Sequence, residues 1–335
     1  MRKLHRLAVA ANSYVFRRVY LELVDCTQVP DWVSLDYDFP LGLNASSPEL
    51  TVSNARLAEL RARYAQCDPA VTTPLIWRDE VVSEIGLRSF RGSKAYLAQV
   101  RGTNNPISYV ATAYYTRALD HLGIYDRLIE PGDFGIYSQV VDGKRVSRDL
   151  LDSCHEMHFL NRHLEILKRP RLTVLDIGAG YGRLGSHLAA AYEGILDYAC
   201  TDAVAVSSFL CEHYLNARGV SNRVRMLPLD EVKADPIRPD LAVNIHSLPE
   251  CRLEAVAWWI NRLRDKQVPW LFVIPNPIDT VGRVLKNGAG QDFRPVIEKH
   301  GFTLEVCEPK YAEPALQDHG ISPTHYYLFR NREVA

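Results

Sequence analysis

The chain has 335 residues, of which 47% are hydrophobic and 24% charged, an ordinary globular composition for two domains or one elaborated domain. Its 39 basic and 40 acidic residues leave a formal net charge of -1, which argues against a dedicated nucleic-acid binder because phosphates select a basic surface. Seven cysteines, widely spaced and without a CxxC pair, exclude a disulfide framework and fit reduced thiols in a cytoplasm. No apolar run approaches the roughly 20 residues that span a bilayer, so no membrane partner is expected.

In chain order, Leu4, Leu7, Ala8, Ala11, Val15 and Tyr20 recur at helical spacing and predict an amphipathic helix. Residues 27–50 carry Pro30, Pro40, Gly42 and Pro48 and read as an irregular connection. Helices follow over 53–66, with Ser53 as cap, and over 108–122; the glycines of 131–144 suggest a hairpin or loop. A long helix fits 147–168, where Leu150, Leu151, Cys154, Met157, Leu160 and Leu164 line one face. Its histidines, His155, His158 and His163, have no i,i+4 partner suited to a metal, so no metal site is expected.

From residue 171 apolar runs alternate with helical stretches, the pattern of βαβ units and a parallel sheet. Seven strands are predicted, over 172–177, 195–201, 223–227, 240–245, 269–274, 302–307 and 325–330. The last two are joined by a segment rich in proline that reads as a loop without a helix, so they are expected to pair as an antiparallel, hairpin-like edge. The fold class is α/β, with a Rossmann-like, mostly parallel sheet preceded by a mainly helical region.

Val174 to Gly185 carries the main chemical signal. An apolar strand ends at Asp176 and runs into Gly178, Gly180 and Gly182, after which a helix over 182–192 begins. Glycines permit a tight strand-to-helix turn and close approach of a ligand, and the helix N-terminus offers N–H groups to a carboxylate. Gly180, Gly182 and Gly185 also satisfy GxGxxG, the dinucleotide fingerprint. Asp176 weighs against that reading, because a carboxylate there would repel a pyrophosphate and suits the ammonium of a methionine moiety. Asp202 ends the second strand, where an acid accepts hydrogen bonds from a ribose diol or caps the next helix.

Together with Val146 to Ser153, Cys200 to Ala205 and Val243 to Glu250, this stretch resembles the class I S-adenosylmethionine (SAM)-dependent methyltransferases. Within them it is similar to the sugar O-methyltransferases of natural-product gene clusters, of the nanchangmycin-cluster type, over roughly residues 85 to 331. The resemblance implies that Asp176, Gly178, Gly180 and Gly182 line the methionine end of SAM and that Asp202 holds its ribose. It places the turn at Leu229 and Asp230 near the adenine, although Asp230 also suits capping of the following turn.

Beyond the fourth strand, Asn244-Ile245-His246-Ser247-Leu248-Pro249-Glu250 is expected to face the transferred methyl, with Asn244 among the cofactor contacts. An alcohol needs a base to become a nucleophile, and His246 titrates in the useful range. Glu250 would orient His246 or bind acceptor hydroxyls; first-turn acid of a helix is the alternative. Loops at Pro275-Asn276-Pro277 and Lys286-Asn287-Gly288 are further acceptor-binding candidates, and Tyr109, Tyr114, Tyr115 and Tyr137 read as packing residues or sugar-stacking rings.

The sequence is therefore divided into a helical region over 1–145, a lid over the acceptor or a homodimer surface, and a catalytic domain over 146–335. The expected activity is O-methylation of a small-molecule acceptor, a sugar or glycosylated metabolite. A nicotinamide-dependent oxidoreductase and a non-catalytic SAM-binding protein are the alternatives.

Overall fold

Helix formation in this chain follows local capping signals. Asn54 accepts the N–H of Arg56 at 2.8 Å and starts helix α1 (Ala55–Tyr64), one residue beyond the expected Ser53 cap. Its apolar positions Leu57, Leu60 and Tyr64 repeat at helical spacing and are buried. Helix α2 spans Pro106–Leu119. The stretch over 131–144 resolves as a hairpin of β1 (Ser138–Val141) and β2 (Lys144–Ser147), turned by Asp142 and Gly143 at φ 51° and 79°, the left-handed pair that a two-residue hairpin requires. Ser147 then accepts the Leu150 N–H at 3.1 Å and opens α3 (Arg148–Leu164), which ends where Glu165 turns left-handed at φ 51°.

Strands β3 (Arg171–Ile177), β4 (Ile195–Thr201), β5 (Val224–Met226), β6 (Leu241–Ile245), β7 (Trp270–Ile274), β8 (Phe302–Pro309) and β9 (His325–Asn331) form one sheet in the order β5-β4-β3-β6-β7-β9-β8. Helices α4 (Arg183–Ala191), α5 (Ala205–Ala217), α6 (Leu253–Asp265) and α7 (Arg294–Lys299) connect successive strands, and β3 through β7 pair in parallel. Because β4 and β6 flank β3 on opposite sides, the chain reverses its winding between β3 and β6. Ligands bind at such a switch point, beyond the carboxyl ends of the strands.

At the end of the chain the last two strands are neighbours at the sheet's edge, as expected, and what differs is the segment that joins them. β9 inserts between β7 and β8, antiparallel to β7 with Trp270 opposite Arg330, so β8 is the edge. The connection holds helix α8 (Pro314–His319), started by proline at its first turn and by the Glu313 side chain accepting the Ala315 N–H.

The computed structural model describes residues 47–76, 84–92, 106–276 and 282–334; the expected helix over 4–20 and most of the connection over 27–50 fall outside them. The described chain divides into two compact units. One takes 88–165 and 309–323, the other 49–87, 166–308 and 324–334. These units do not coincide with a cut at 145/146. Residues 49–76 join the sheet unit because α1 packs its apolar face on α5, whereas α3 packs with α2 in the other unit. In that unit Arg91 is fully buried and pairs with Glu130 at 2.7 Å, Asp149 at 2.9 Å and Asp133 at 2.9 Å. Tyr109, Tyr114 and Tyr115 are buried there as packing residues.

Candidate functional site

The glycine loop turns between β3 and α4. Gly178, Gly180 and Gly182 adopt φ of 68°, 57° and 83°, so all three sit where a side chain is strained. The N–H groups of Gly178 and Ala179 both donate to the carbonyl of Thr201, at 2.8 and 3.1 Å, which folds the loop over the end of β4. A Cβ on Gly178 would lie 1.9 Å from the Ser247 hydroxyl, so the loops after β3 and β6 touch. Gly185, the last glycine of the GxGxxG reading, lies inside α4, where a Cβ would meet Val224 at 2.8 Å and Tyr198 at 2.9 Å; its role is helix-to-sheet packing.

Asp176 is buried in β3, and Tyr198 donates its hydroxyl to one carboxylate oxygen at 2.7 Å. Asp202 follows β4. It accepts the Gly180 N–H at 3.1 Å and the Val204 N–H at 2.9 Å, and burial pushes its carboxyl up to about 6 in spite of those donors. It is not the cap of α5, because that position belongs to Val204. Asp202 therefore links the glycine loop to the second strand. The hydroxyl Oγ1 of Thr201, next to Asp202, is buried with no hydrogen-bond partner among the described residues.

The turn Leu229–Glu231 follows β5. Leu229 is buried, whereas Asp230 is exposed and bidentate with Arg63, Nε to one oxygen at 2.9 Å and Nη2 to the other at 2.8 Å. That pairing assigns Asp230 a surface ion pair.

At the end of β6 Asn244 is fully buried. Its amide nitrogen donates to Ile177 O at 2.8 Å and its oxygen accepts the Leu248 N–H at 2.9 Å. Both ends of the amide brace the β3 and β6 loops against each other. His246 adopts φ 65°, an uncommon conformation for a non-glycine residue and one that clusters at functional sites. Its N–H donates to Ile274 O at 2.8 Å, and Nδ1 lies 3.2 Å from Pro275 O. A carbonyl only accepts, so Nδ1 carries a proton in this contact.

Glu250 closes a short 3-10 turn (Leu248–Glu250) and does not continue into α6, which starts at Leu253. Burial and the nearby Asp202 charge push its carboxyl up to about 7, while a hydrogen bond with Asn276 opposes them. The orienting group for His246 is thus Pro275 O, and the partner of Glu250 is Asn276. Asn287 braces the same turn by donating to Cys251 O at 3.1 Å. Neither Asp202 nor Glu250 has a cationic partner among the described residues.

The sheet unit therefore brings Asp176, the glycines, Asp202, His246 and Glu250 to one end of one sheet. Two residues absent from the sequence reading also reach this edge: Tyr64 accepts the Leu229 N–H at 3.0 Å, and Leu75 N–H donates to Glu250 O at 3.0 Å. A tyrosine on an amphipathic helix carries no sequence signal separating it from core.

No family model matches the chain, and no curated protein matches it. Among solved structures, the chain is similar to magnesium protoporphyrin IX methyltransferase (ChlM) of Synechocystis with bound SAM, at 16% identity and TM-score 0.39, over 55% of this chain and 82% of that one. It is similar to a SAM-dependent methyltransferase of Aquifex aeolicus at 14% identity and TM-score 0.39, over 63% and 98% of the two chains. The [4+2]-cyclase SpnF matches at 14% identity and TM-score 0.39, over 56% and 84%.

Proposed function

We propose that this chain is a SAM-dependent O-methyltransferase acting on a hydroxyl of a small molecule, with a sugar or glycosylated metabolite as the acceptor class and His246 as general base. The observation that carries the reading is the tie between Asp202 and Gly180, beside a strained histidine, at the switch point of the sheet. The residues suit such a cofactor. Gly178 and Gly180 leave half-buried backbone at the turn, and two carboxyls without a cation among the described residues favour a positively charged guest.

In this reading Gly178 to Gly182 and the start of α4 receive the methionine carboxylate, Asp176 and Glu250 supply negative charge, and Asp202 accepts hydrogen bonds from the ribose. SAM, when bound, supplies a methyl group on a sulfonium that leaves as a neutral thioether. The protein's part is to position the acceptor and remove its proton. His246 Nε2 takes the hydroxyl proton, and the resulting imidazolium is held by its Nδ1–H bond to Pro275 O. Glu250 and Asn276 flank that loop as hydrogen-bonding groups for acceptor hydroxyls.

Calorimetry of the full chain with SAM, S-adenosylhomocysteine (SAH) and NADH tests the cofactor, followed by transfer of labelled methyl to a panel of monosaccharides and glycosides. SAM and SAH binding with methyl transfer to a hydroxyl is the expected result. Tight NADH binding with no affinity for SAM would replace this reading by the oxidoreductase one.

A further inference from the structure

Residues 54–76 precede every motif that reads as catalytic, yet they touch two of the loops at the carboxyl end of the sheet. Tyr64, at the end of α1, is 4% exposed. Its phenol oxygen accepts the N–H of Leu229 at 3.0 Å and shares a hydrogen bond with Ser208 Oγ, 2.7 Å away. Ser208 follows Ser207, whose side chain hydrogen-bonds Asp202. Burial pushes the Tyr64 phenol up to about 12, with the charges of Asp202 and Asp230 adding to it, so it stays protonated and within electrostatic reach of both acids. Beside it, Arg63 holds Asp230 with two hydrogen bonds and Glu231 with a third at 2.5 Å. Further along, Leu75 N–H donates to the carbonyl of Glu250.

Backbone bonds from Glu231 N–H to Pro228 O at 3.0 Å and from Val232 N–H to Leu229 O at 3.3 Å, with burial of Leu229 and Val232, shape the turn Leu229–Glu231 but hold neither its first N–H nor its two acids. It is a single 3-10 turn with two adjacent acids and no side-chain cap of its own. Without Tyr64 its first N–H would be buried and unsatisfied, and without Arg63 its two carboxylates would repel each other. We infer that α1 is part of the cofactor site: Arg63 and Tyr64 are positioning residues that hold the Leu229–Glu231 turn ready for the adenosine end of the cofactor. The inference rests on the cofactor reading above, and it assigns residues 54–76 to cofactor binding instead of to a lid over the acceptor.

The test is calorimetry of the full-length protein with SAH and with adenosine. Tyr64→Phe removes the acceptor for Leu229 N–H, and Arg63→Asp reverses the clamp on Asp230. Both variants should lose affinity for SAH and for adenosine in parallel, by about 5- to 10-fold, the effect of one ordinary hydrogen bond. Asp176→Asn should lose SAH affinity and keep adenosine affinity, because it acts at the other end of the ligand. Combining Arg63→Asp with Asp230→Arg should restore adenosine binding to within about threefold of wild type, which simple destabilisation by α1 would not do. Folded Tyr64→Phe and Arg63→Asp proteins with wild-type affinities would overturn the inference alone. A wild-type protein that binds neither SAH nor adenosine would overturn the cofactor reading and this inference with it.

Discussion

Asp202 accepts the backbone N–H of Gly180 at 3.1 Å, and this one contact joins the acid at the end of β4 to the middle glycine of the loop after β3. A ribose held by Asp202 and a methionine held by the loop would thus share one rigid support. Asp202→Ala removes both the support and a charge-assisted bond worth roughly 1.5–3 kcal/mol, so SAM affinity should fall about 10- to 100-fold. Unchanged affinity in a folded variant, measured by calorimetry, would remove Asp202 from the site.

Asp176 should discriminate between cofactors. It is buried one residue before the loop, with Tyr198 already donating to it. Asp176→Asn should weaken SAM by about 10-fold, the cost of one charge-assisted bond, and create no affinity for NADH. Gain of NADH binding in that variant would mean that the acid had been excluding a pyrophosphate.

Two carboxyls set the pH dependence. Asp202 moves from 3.8 to about 6 and Glu250 from 4.5 to about 7, both raised by burial. The folded ligand-free protein therefore holds more protons than the unfolded chain between about pH 4 and 7, and the stability these groups contribute is lost as pH rises through that window. A cationic ligand favours the ionised forms, so SAM affinity should rise from pH 6 to 7, and SAH affinity should rise less. Thermal scans of wild type and of Glu250→Gln from pH 4 to 8 should differ in slope; parallel curves would mean that Glu250 titrates normally.

His246 carries a backbone test as well as a chemical one. His246→Ala should lower kcat by roughly 10²- to 10⁴-fold with SAM affinity nearly intact, as expected for loss of positioned proton transfer. At φ 65° glycine is unstrained whereas alanine costs about 1 kcal/mol, so His246→Gly should melt higher than His246→Ala and be equally inactive. Melting in the reverse order would mean that the left-handed conformation does not persist in solution.

In the other unit, Arg91 neutralises two buried carboxylates, and its guanidinium holds Glu130 down to about 2. Arg91→Ala removes the cation paired with the buried Glu130 and should destabilise the protein by about 3–5 kcal/mol. The wild-type contribution of Glu130 is present above its unfolded value of 4.5 and is lost as pH falls towards 2. A melting temperature of Arg91→Ala within a few degrees of wild type would contradict the burial of this cluster.

The glycine loop, the acids at Asp176 and Asp202, and the seven strands were all legible in the sequence, because each depends on interactions within a few residues. Left-handed φ calls for glycine, a parallel strand calls for an apolar run, and an acid at a strand end is fixed by the strand. Strand order at the chain's end was not legible: β8 and β9 are neighbours on either topology, and the insertion of β9 depends on its match to β7. The roles of Asn244 and Asp230 were legible only as positions, since their partners Ile177, Leu248 and Arg63 come from distant parts of the chain.

What the sequence by itself determined is the strands of the sheet and the glycine loop after the first of them, since periodicity and backbone conformation are local properties. Only the tertiary structure decided that Tyr64 and Arg63 reach the Leu229–Glu231 turn, that Pro275 O meets the protonated Nδ1 of His246, and that Asn276 pairs with Glu250. Those contacts join residues from 26 to 167 positions apart in the chain. Hydrogen bonding and burial at such separations follow from how helices and strands pack, and no residue pattern along the chain encodes them.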